Sequence, residues 1–254
     1  MASQVPAADQ VLRVLRHLAV QAGPVPAAGV ARALSLPRST TYHLLAVLRD
    51  QGFVTYLPDQ RRYGLGVTAF EVGSAYVRHD PLEHLARPLV AALAHRADVT
   101  VHLGVLHGRE TLYLLKEQPP HHPVLVTDIG VRLPAQLTAS GRALLAGLPA
   151  AQVRALFPSP ADFVDRTGAG PSRPSQLRRL LASERQRGWA EEDGSVTAGF
   201  ASVAAAAFDH VQHPAAAISA TFASASRDAA ERAALAADVV AAAATLTRRL
   251  GGRT

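Results

Sequence analysis

Residues 25–66 read VPAAGVARALSLPRSTTYHLLAVLRDQGFVTYLPDQRRYGLG, and this segment contains the main fold signals of the N-terminal part of the chain. Residues 26–34 have the composition of a short helix, and the Ser-Leu pair that follows predicts a tight turn. Pro37 predicts the first turn of a further helix that extends to about Asp50, because proline is tolerated at the start of a helix and not in its interior. The two helices and the turn between them form a helix-turn-helix pattern.

A basic hairpin is predicted directly after these helices. The runs FVTY and RRYGL flank LPDQ, which contains the turn-forming pair Pro58-Asp59. An earlier helix is predicted at residues 8–21, where apolar side chains recur at helical spacing and Gly23-Pro24 ends the element. Three helices followed by a hairpin are typical of a winged helix-turn-helix domain.

The third of these helices has a polar start, and Leu44, Val47 and Leu48 predict its apolar face. The N-terminal half of such a helix enters the major groove of DNA, where arginine reaches guanine or phosphate and hydroxyl groups reach either. Arginines of the hairpin are expected to neutralise phosphates or to enter the minor groove. The candidate DNA-binding residues are therefore the outward-facing residues of the first two helical turns and two arginines of the hairpin: Arg38, Ser39, Thr40, Tyr42, His43, Arg61 and Arg62.

The rest of the chain predicts a second, larger domain. A linker helix at about residues 68–79 leads to Asp80-Pro81, where the proline predicts the start of a new helix. We place the domain boundary in this region, so the two domains are expected at residues 1–80 and 81–254.

Strands and helices alternate in the larger domain. TVHLGVL and TLYLLKE flank HGRE as a hairpin, and PVLVT at residues 123–127 predicts a third strand. Helices are predicted at 139–147, at 150–157, and at 176–187 with Ser175 as N-cap; strands at 198–208 and 215–223; and a last helix on the stripe Leu235, Val239, Ala243, Leu246 and Leu250. Hairpin-type neighbours favour an α+β fold with a mainly antiparallel sheet over a doubly wound parallel one.

Composition excludes several classes of protein. The chain of 254 residues is 48% hydrophobic and 18% charged, which predicts a folded globular protein. It has no cysteine, which excludes disulfides, thiolate zinc sites and a cysteine nucleophile. No window approaches the roughly 18 apolar residues of a membrane span, and the start MASQVPAADQ lacks a signal-peptide pattern, so we expect a cytoplasmic protein with no membrane partner. The formal net charge is +6, and all basic residues except Lys116 are arginines, whose planar guanidinium suits phosphate.

Several segments together resemble the IclR family of bacterial transcriptional regulators over nearly the whole chain. They are LSLPRSTTYHLLAVLRDQGFV, YGLG before the linker helix, LTASGRALLAGLP, and GWAEEDG followed by strands that end in ATFASAS. The resemblance implies a winged helix joined by the linker helix to a C-terminal effector-binding domain of GAF-like α/β fold. It also implies a ligand-responsive regulator, more often a repressor than an activator, that binds double-stranded promoter DNA and a small molecule. Homodimers or homotetramers are expected, because one short helix buries too little groove for tight specific binding and two-fold pairing on a palindromic site is the usual solution.

The resemblance also places an effector pocket. The corresponding positions are Leu125, Leu133, Ala139, Ser140, Glu192, Phe200, Ser202, Ser219 and Thr221. Residues two apart on a strand face the same side, as Ser219 and Thr221 do, so hydroxyl groups are expected to converge there. Thr138 at a helix start is a candidate N-cap that leaves backbone N–H groups for a carboxylate, which favours a small organic acid as effector.

The sequence departs from the family pattern at three places in this region. Ser202 stands where many relatives carry cysteine, Phe200 is bulky, and Phe222-Ala223 replaces a frequent Gly-Pro pair. These departures predict a narrowed or unusual pocket.

Other readings of the sequence are weaker. Gly64, Gly66 and Ala69 satisfy a loose dinucleotide-binding GxGxxA motif, but the preceding strand carries two arginines and is unlike a buried parallel strand. The pairs His121-His122 and His210/His213 lack the spacing of metal ligands, and Ser140 and Ser195 lack the flanking glycines of a nucleophile elbow. We therefore expect no metal, no cofactor and no catalytic residue. Two alternatives stay open: a module that uses the winged helix for dimerisation or protein binding, and an enzyme with a GAF-like domain.

Overall fold

A computed structural model describes residues 5–79, 81–120 and 125–253 of the chain, which forms two compact units, residues 1–80 and 81–254. The smaller unit is a helical cluster with one hairpin. Its elements are α1 (Pro6–Ala19), α2 (Ala27–Leu34), α3 (Arg38–Asp50), β1 (Val54–Leu57), β2 (Arg62–Leu65) and α4 (Val67–His79), with β1 antiparallel to β2.

A left-handed residue makes the tight turn between α2 and α3. Ser35 has a φ of 55°, and the next residue, Leu36, donates its backbone N–H to the carbonyl of Ala31 at 2.9 Å. Pro37 is the N-cap of α3, one position earlier than predicted, and the hydroxyl of Thr41 donates back to its carbonyl at 3.0 Å. The helix therefore begins at Arg38, as its first fully helical residue.

The predicted apolar face of α3 is rotated by one position. Leu44 and Leu48 are buried as expected, but Val47 is 56% exposed and Leu45 is fully buried in its place. The reason is the helical period: positions 41, 44, 45 and 48 lie on one stripe, whereas position 47 lies outside it. Side chains from α1, α2 and β1 complete this core, namely Val14, Leu18, Ala27, Val30 and Val54.

The larger unit contains a six-stranded antiparallel sheet in the order β5-β4-β3-β8-β7-β6. The strands are β3 (Thr100–His107), β4 (Glu110–Glu117), β5 (Arg132–Pro134), β6 (Ala190–Asp193), β7 (Phe200–Phe208) and β8 (Pro214–Ala223). The helices are α5 (Pro81–Ala97), α6 (Ala139–Gly147), α7 (Ala150–Leu156), α8 (Pro174–Arg187) and α9 (Ala229–Arg249). The predicted α+β fold with an antiparallel sheet is confirmed.

Helices cover both faces of this sheet. On one face, α5 and α9 pack on the side chains that include Val101, Val203 and Ile218. On the other face, α6 packs on small residues such as Ala204 and Ala217, and α8 packs in turn against α6. The alternation of the strands therefore sends Ser219 and Thr221 to the face that carries α6.

In the larger unit, two predictions were wrong and one strand was missed. Of the predicted strand at 123–127, residues 123 and 124 lie outside the described residues and residues 125–127 are irregular. The strand that pairs with β4 is instead Arg132–Pro134, because a short apolar run gives the same signal whether it pairs or lines a cavity. The acidic segment Ala190–Asp193 is an edge strand that was not predicted, since carboxylate-rich runs have low strand propensity. Ser175 is not an N-cap: α8 begins at Pro174, and Arg173 precedes it without a side-chain cap.

Candidate functional site

The start of α3 presents a polar surface. Arg38, Ser39, Tyr42 and His43 are exposed, and Thr40 is half-buried. The surface combines an arginine, hydroxyl groups and an imidazole at the N-terminal end of a helix, where the helix dipole favours negative partners such as phosphate. These five residues therefore lie together on one exposed surface.

The two arginines of the hairpin differ in their surroundings. Both are exposed at the end of the β1–β2 turn, and Arg61 has a left-handed backbone with a φ of 51°. Nη1 of Arg62 donates to the carbonyl of Pro24 at 3.0 Å, so this side chain also fastens the hairpin to the segment before α2. Within the described residues, the side chain of Arg61 makes no bond of this kind.

A cavity of about 60 Å³ lies in the larger unit, between the start of α6 and the sheet. Eight of the nine predicted effector-binding residues line it: Leu125, Ala139, Ser140, Glu192, Phe200, Ser202, Ser219 and Thr221. The ninth, Leu133, is not among the residues that line it; its buried side chain belongs to β5, opposite Thr111 of β4.

Six further residues line this cavity and were not predicted from the sequence as effector-binding residues. They are Tyr113, Val126, Thr127, Thr138, Val196 and Thr197, of which Thr138 was predicted only as a helix cap. The strand signal around Tyr113 is clear, but a bulge between Leu103 and Gly104 shifts the register of β3 and β4. Such a bulge decides which face Tyr113 occupies, and the sequence does not locate it.

The start of α6 is held tightly at the cavity. Thr138 caps the helix by accepting the backbone N–H of Gly141 at 2.9 Å. A side chain at Gly141 would place its Cβ 2.4 Å from Cα of Ala135, so only glycine permits this close approach. The N–H groups of the first helical residues, Ala139 and Ser140, have no acceptor inside the helix by its geometry. Both residues line the cavity.

Glu192 of β6 is the only carboxyl side chain among the described residues that line this cavity. It is 5% exposed; its Oε1 accepts the hydroxyl of Ser202 at 2.9 Å and its Oε2 accepts the N–H of Ser195 at 3.0 Å. The hydroxyls of Ser202 and Thr221 are 3.0 Å apart. Burial raises the pKa of Glu192 to about 7, although these hydrogen bonds act in the opposite direction.

Two further ionisable groups on the same sheet face are uncharged at neutral pH. Burial, with Lys116 as a lesser cause, lowers the pKa of His102 to about 4. Burial raises the pKa of Tyr113 to about 12, and its hydroxyl lies 3.1 Å from that of Ser140. No lysine, arginine or histidine belongs to the part of the cavity wall that the structure describes.

A buried ion pair stands behind the cavity. Nε of Arg142 in α6 donates to Oε1 of Glu184 in α8 at 2.9 Å, and both side chains are almost fully buried. The same guanidinium donates to the carbonyls of Gln136 and Glu191, so it joins the loop before α6 to α8 and β6. Arg142 therefore holds β6, the strand that carries Glu192, against α6 and α8.

Over the described residues, no group of three or more histidine, aspartate and glutamate side chains is placed to hold a metal ion. His210 and His213 are exposed, and His121 and His122 lie outside the described residues. Likewise, no helix in the described ranges is long and apolar enough to cross a membrane.

Comparison with known proteins matches both parts of the chain. Residues 7–58 match the IclR helix-turn-helix domain, and residues 74–248 match the family described as bacterial transcriptional regulator IclR C-terminal. The transcriptional repressor IclR of Escherichia coli K12 is 31% identical over 218 residues, which cover 85% of this chain and 79% of that protein.

Solved structures show the same fold over the whole chain. An IclR transcriptional regulator from Alicyclobacillus acidocaldarius superposes with a TM-score of 0.84 at 21% identity, covering 98% of this chain and 100% of the other. An IclR homolog from Microbacterium hydrocarbonoxydans, complexed with 4-hydroxybenzoate, superposes with a TM-score of 0.82 at 22% identity, covering 96% and 98%. Since both domain matches and a relative above 30% identity agree, this chain belongs to the IclR family of transcriptional regulators, with an N-terminal helix-turn-helix domain and a C-terminal effector-binding domain.

Proposed function

We propose that residues 1–80 of this regulator read promoter DNA and that residues 81–254 sense a small organic acid in the cavity beside α6. In the DNA-binding part, the contacts to bases and phosphates come from the exposed start of α3, Arg38, Ser39, Thr40, Tyr42 and His43, and from Arg61 and Arg62 of the hairpin. The observation that carries the DNA part is this single exposed polar surface at a helix N-terminus beside a basic hairpin.

The acid effector is supported by the chemistry of the cavity. Free N–H groups at the start of α6 suit a carboxylate, and hydroxyl groups from Ser202, Ser219 and Thr221 suit further oxygens. The complex of the Microbacterium homolog with 4-hydroxybenzoate, also an organic acid, favours the same class. The effector-binding residues we propose are the eight predicted residues that line the cavity, together with Tyr113 and Thr138.

The regulator is proposed to act as a homodimer or homotetramer and as a repressor, without catalytic activity. Two copies of α3 on a palindromic site would double the groove contacts of one short helix. A hydrolase would need a base beside a nucleophile, but the hydroxyl of Ser140 contacts that of Tyr113, whose raised pKa of about 12 keeps it protonated at neutral pH and unable to accept a proton. The contact of Ser140 with Tyr113 therefore supplies no nucleophile–base pair, which supports a binding role for this wall.

The test of the DNA-binding surface is fluorescence anisotropy of the full chain on labelled DNA from its own upstream region, at about 0.15 M salt with excess competitor, because non-specific binding is weak there. Arg38→Ala is expected to weaken specific binding by about 5- to 150-fold, the loss of roughly 1–3 kcal/mol that a base-reading arginine carries. Arg178→Ala removes an equally exposed arginine from α8, in the larger unit, and should leave the affinity unchanged.

The alternative is a winged helix that binds only protein. Two results together would favour that alternative and remove the DNA assignment. A genome-wide selection would recover no DNA site that the protein binds in the presence of competitor, and Arg38→Ala would bind DNA with the same affinity as the unmodified chain.

A further inference from the structure

While Glu192 is ionised, the charge of the cavity opposes the binding of an anion. Glu192 is 5% exposed, and the rest of the described wall consists of hydroxyl-bearing and apolar residues with no cationic side chain. A carboxylate at the start of α6 would share a cavity of about 60 Å³ with this carboxyl group. Two ionised carboxylates confined in one poorly hydrated site repel strongly, and such a pair keeps one proton between them.

We infer that the cavity takes up its acid effector together with one proton, which comes from the solvent and resides on Glu192. This inference rests on the proposed effector function and adds the ionic form in which the site accepts its ligand. The protonated carboxyl group becomes a hydrogen-bond donor, either to the effector carboxylate or to the hydroxyl of Ser202, which can then donate onward to Thr221 at 3.0 Å.

Glu192 is the proton acceptor, because none of the groups named below that surround it takes up a proton near pH 7. From α6 comes Arg142, whose charge is shared with Glu184 of α8 at 2.9 Å. From β4 comes Tyr113, which lines the same cavity and is neutral near pH 7. The strands β7 and β8 supply only hydroxyl and apolar side chains to the wall, and the loop after β6 supplies the N–H of Ser195.

The pKa of Glu192 in the empty cavity supports the inference. Its pKa is already raised to about 7 by burial, and an anion beside it would raise that pKa further. Below pH 7 the empty site holds the proton, so an ionised effector enters without proton uptake. Above pH 7 the site must first gain a proton, so affinity falls by about tenfold for each pH unit.

The size of the cavity selects the probes. A volume of about 60 Å³ corresponds to roughly four to six water positions, at about 10–15 Å³ for each. Glycolate and lactate are acids of this size, and both are fully ionised between pH 6 and 9. Glycolamide and lactamide have nearly the same shape without the charge, which makes them matched neutral probes.

The experiment is isothermal titration calorimetry of the full chain with these four probes between pH 6 and 9, in phosphate and in Tris, whose ionisation enthalpies differ. For the acids we expect uptake of close to one proton at pH 8.5, little uptake at pH 6, and a Kd that rises about tenfold per pH unit above pH 7. Glu192→Gln should bind the acids with a pH-independent Kd and no uptake, whereas Glu110→Gln, which removes a carboxylate exposed on β4, should behave as the unmodified chain.

Three results would overturn the inference: binding of the acids to the unmodified chain without proton uptake, preference for the amides over the acids at pH 6, or no binding of either acid at 10 mM. Uptake of close to one proton that sets in near pH 7, the pKa of Glu192, supports the inference even if Glu192→Gln fails to fold. Operator binding measured on the same samples separates failure of the effector proposal from failure of the DNA-binding proposal. A chain that binds operator but none of the acids retains the DNA-binding part of the proposed function and loses only the effector class.

Discussion

Arg142 connects more of the larger unit than any neighbouring side chain of α6. It is 2% exposed, and its Nε donates a hydrogen bond to Glu184 at 2.9 Å. Its two Nη atoms donate to the backbone carbonyls of Gln136 and Glu191. Burial raises the pKa of Glu184, and the adjacent guanidinium opposes that effect. A buried carboxylate that loses its cation is costly, whereas a pair replaced as a whole is much less so.

We predict that Arg142→Ala lowers the free energy of unfolding by about 3–5 kcal/mol, because it leaves the buried carboxylate of Glu184 with only the more distant Arg187, at 3.9 Å, as a cation. The double variant Arg142→Met/Glu184→Leu should lose less, about 1–3 kcal/mol, since the two backbone carbonyls then lack donors but no charge is left unpaired. Urea unfolding followed by circular dichroism measures both, with Arg178→Ala as an exposed control. A double variant less stable than the single one would show that the ion pair itself is the main source of stability.

The chemistry of single residues was only partly predictable. The family pattern located eight of the nine residues that it assigned to the pocket, and alternation placed Ser219 and Thr221 on one face. The raised pKa of Glu192 follows from burial at a strand edge, and burial of this kind is a property of the packed sheet and not of the letters AEED. Leu133 lies on β5, a strand that was not recognised, and is not among the residues that line the cavity.

At the scale of elements, the hairpin separates two arginines that look equivalent in the sequence. Arg62 bonds the carbonyl of Pro24, whereas Arg61 is exposed at the turn. A cation that neutralises a phosphate contributes about 0.9 to the slope of log K against log salt.

We predict that Arg61→Ala reduces this slope by about 0.9 or less and leaves the unfolding free energy within about 0.5 kcal/mol. Arg61→Lys, which keeps the charge, should keep the slope. Arg62→Ala should lower the slope and also destabilise the hairpin by about 0.5–1.5 kcal/mol, through the lost bond to Pro24. Anisotropy titrations at several salt concentrations, with thermal unfolding of the free protein, measure both effects. A slope unchanged in both alanine variants would remove the hairpin from the DNA interface.

Elements with strong local signals were predicted to within a few residues. Capping, proline and helical spacing located α3, α6 and α9, and the turn residues located the β1–β2 and β3–β4 hairpins. Short elements that depend on a distant partner were not located: β5 exists because it pairs with β4, and β6 because it pairs with β7. The apolar segment at 125–127 lines the cavity and forms no strand.

At the scale of the molecule, each unit has a core of its own. Leu45, Val30 and Val14 belong to the core of the smaller unit, and the sheet with α5, α6 and α9 supplies the cores of the larger one. The proposed DNA contacts lie in the first unit and the cavity in the second. A regulator built in this way needs a coupling free energy between two sites, and such a coupling acts equally in both directions.

We therefore predict a reciprocal effect between ligand and operator. If lactate at saturation changes the operator Kd by some factor, typically 5- to 150-fold for an allosteric pair, then saturation with operator changes the lactate Kd by the same factor. Anisotropy measures the first factor and calorimetry the second, at pH 6.5, where Glu192 is largely protonated. The variant Ser219→Val/Thr221→Val removes two hydroxyls from the cavity wall. It should keep its operator affinity, but lactate should no longer change the operator Kd and operator should no longer change the lactate Kd. Lactate that binds in the cavity while both factors equal one would show a site without a regulatory role, because a ligand with no preference between two states of the protein shifts neither of them.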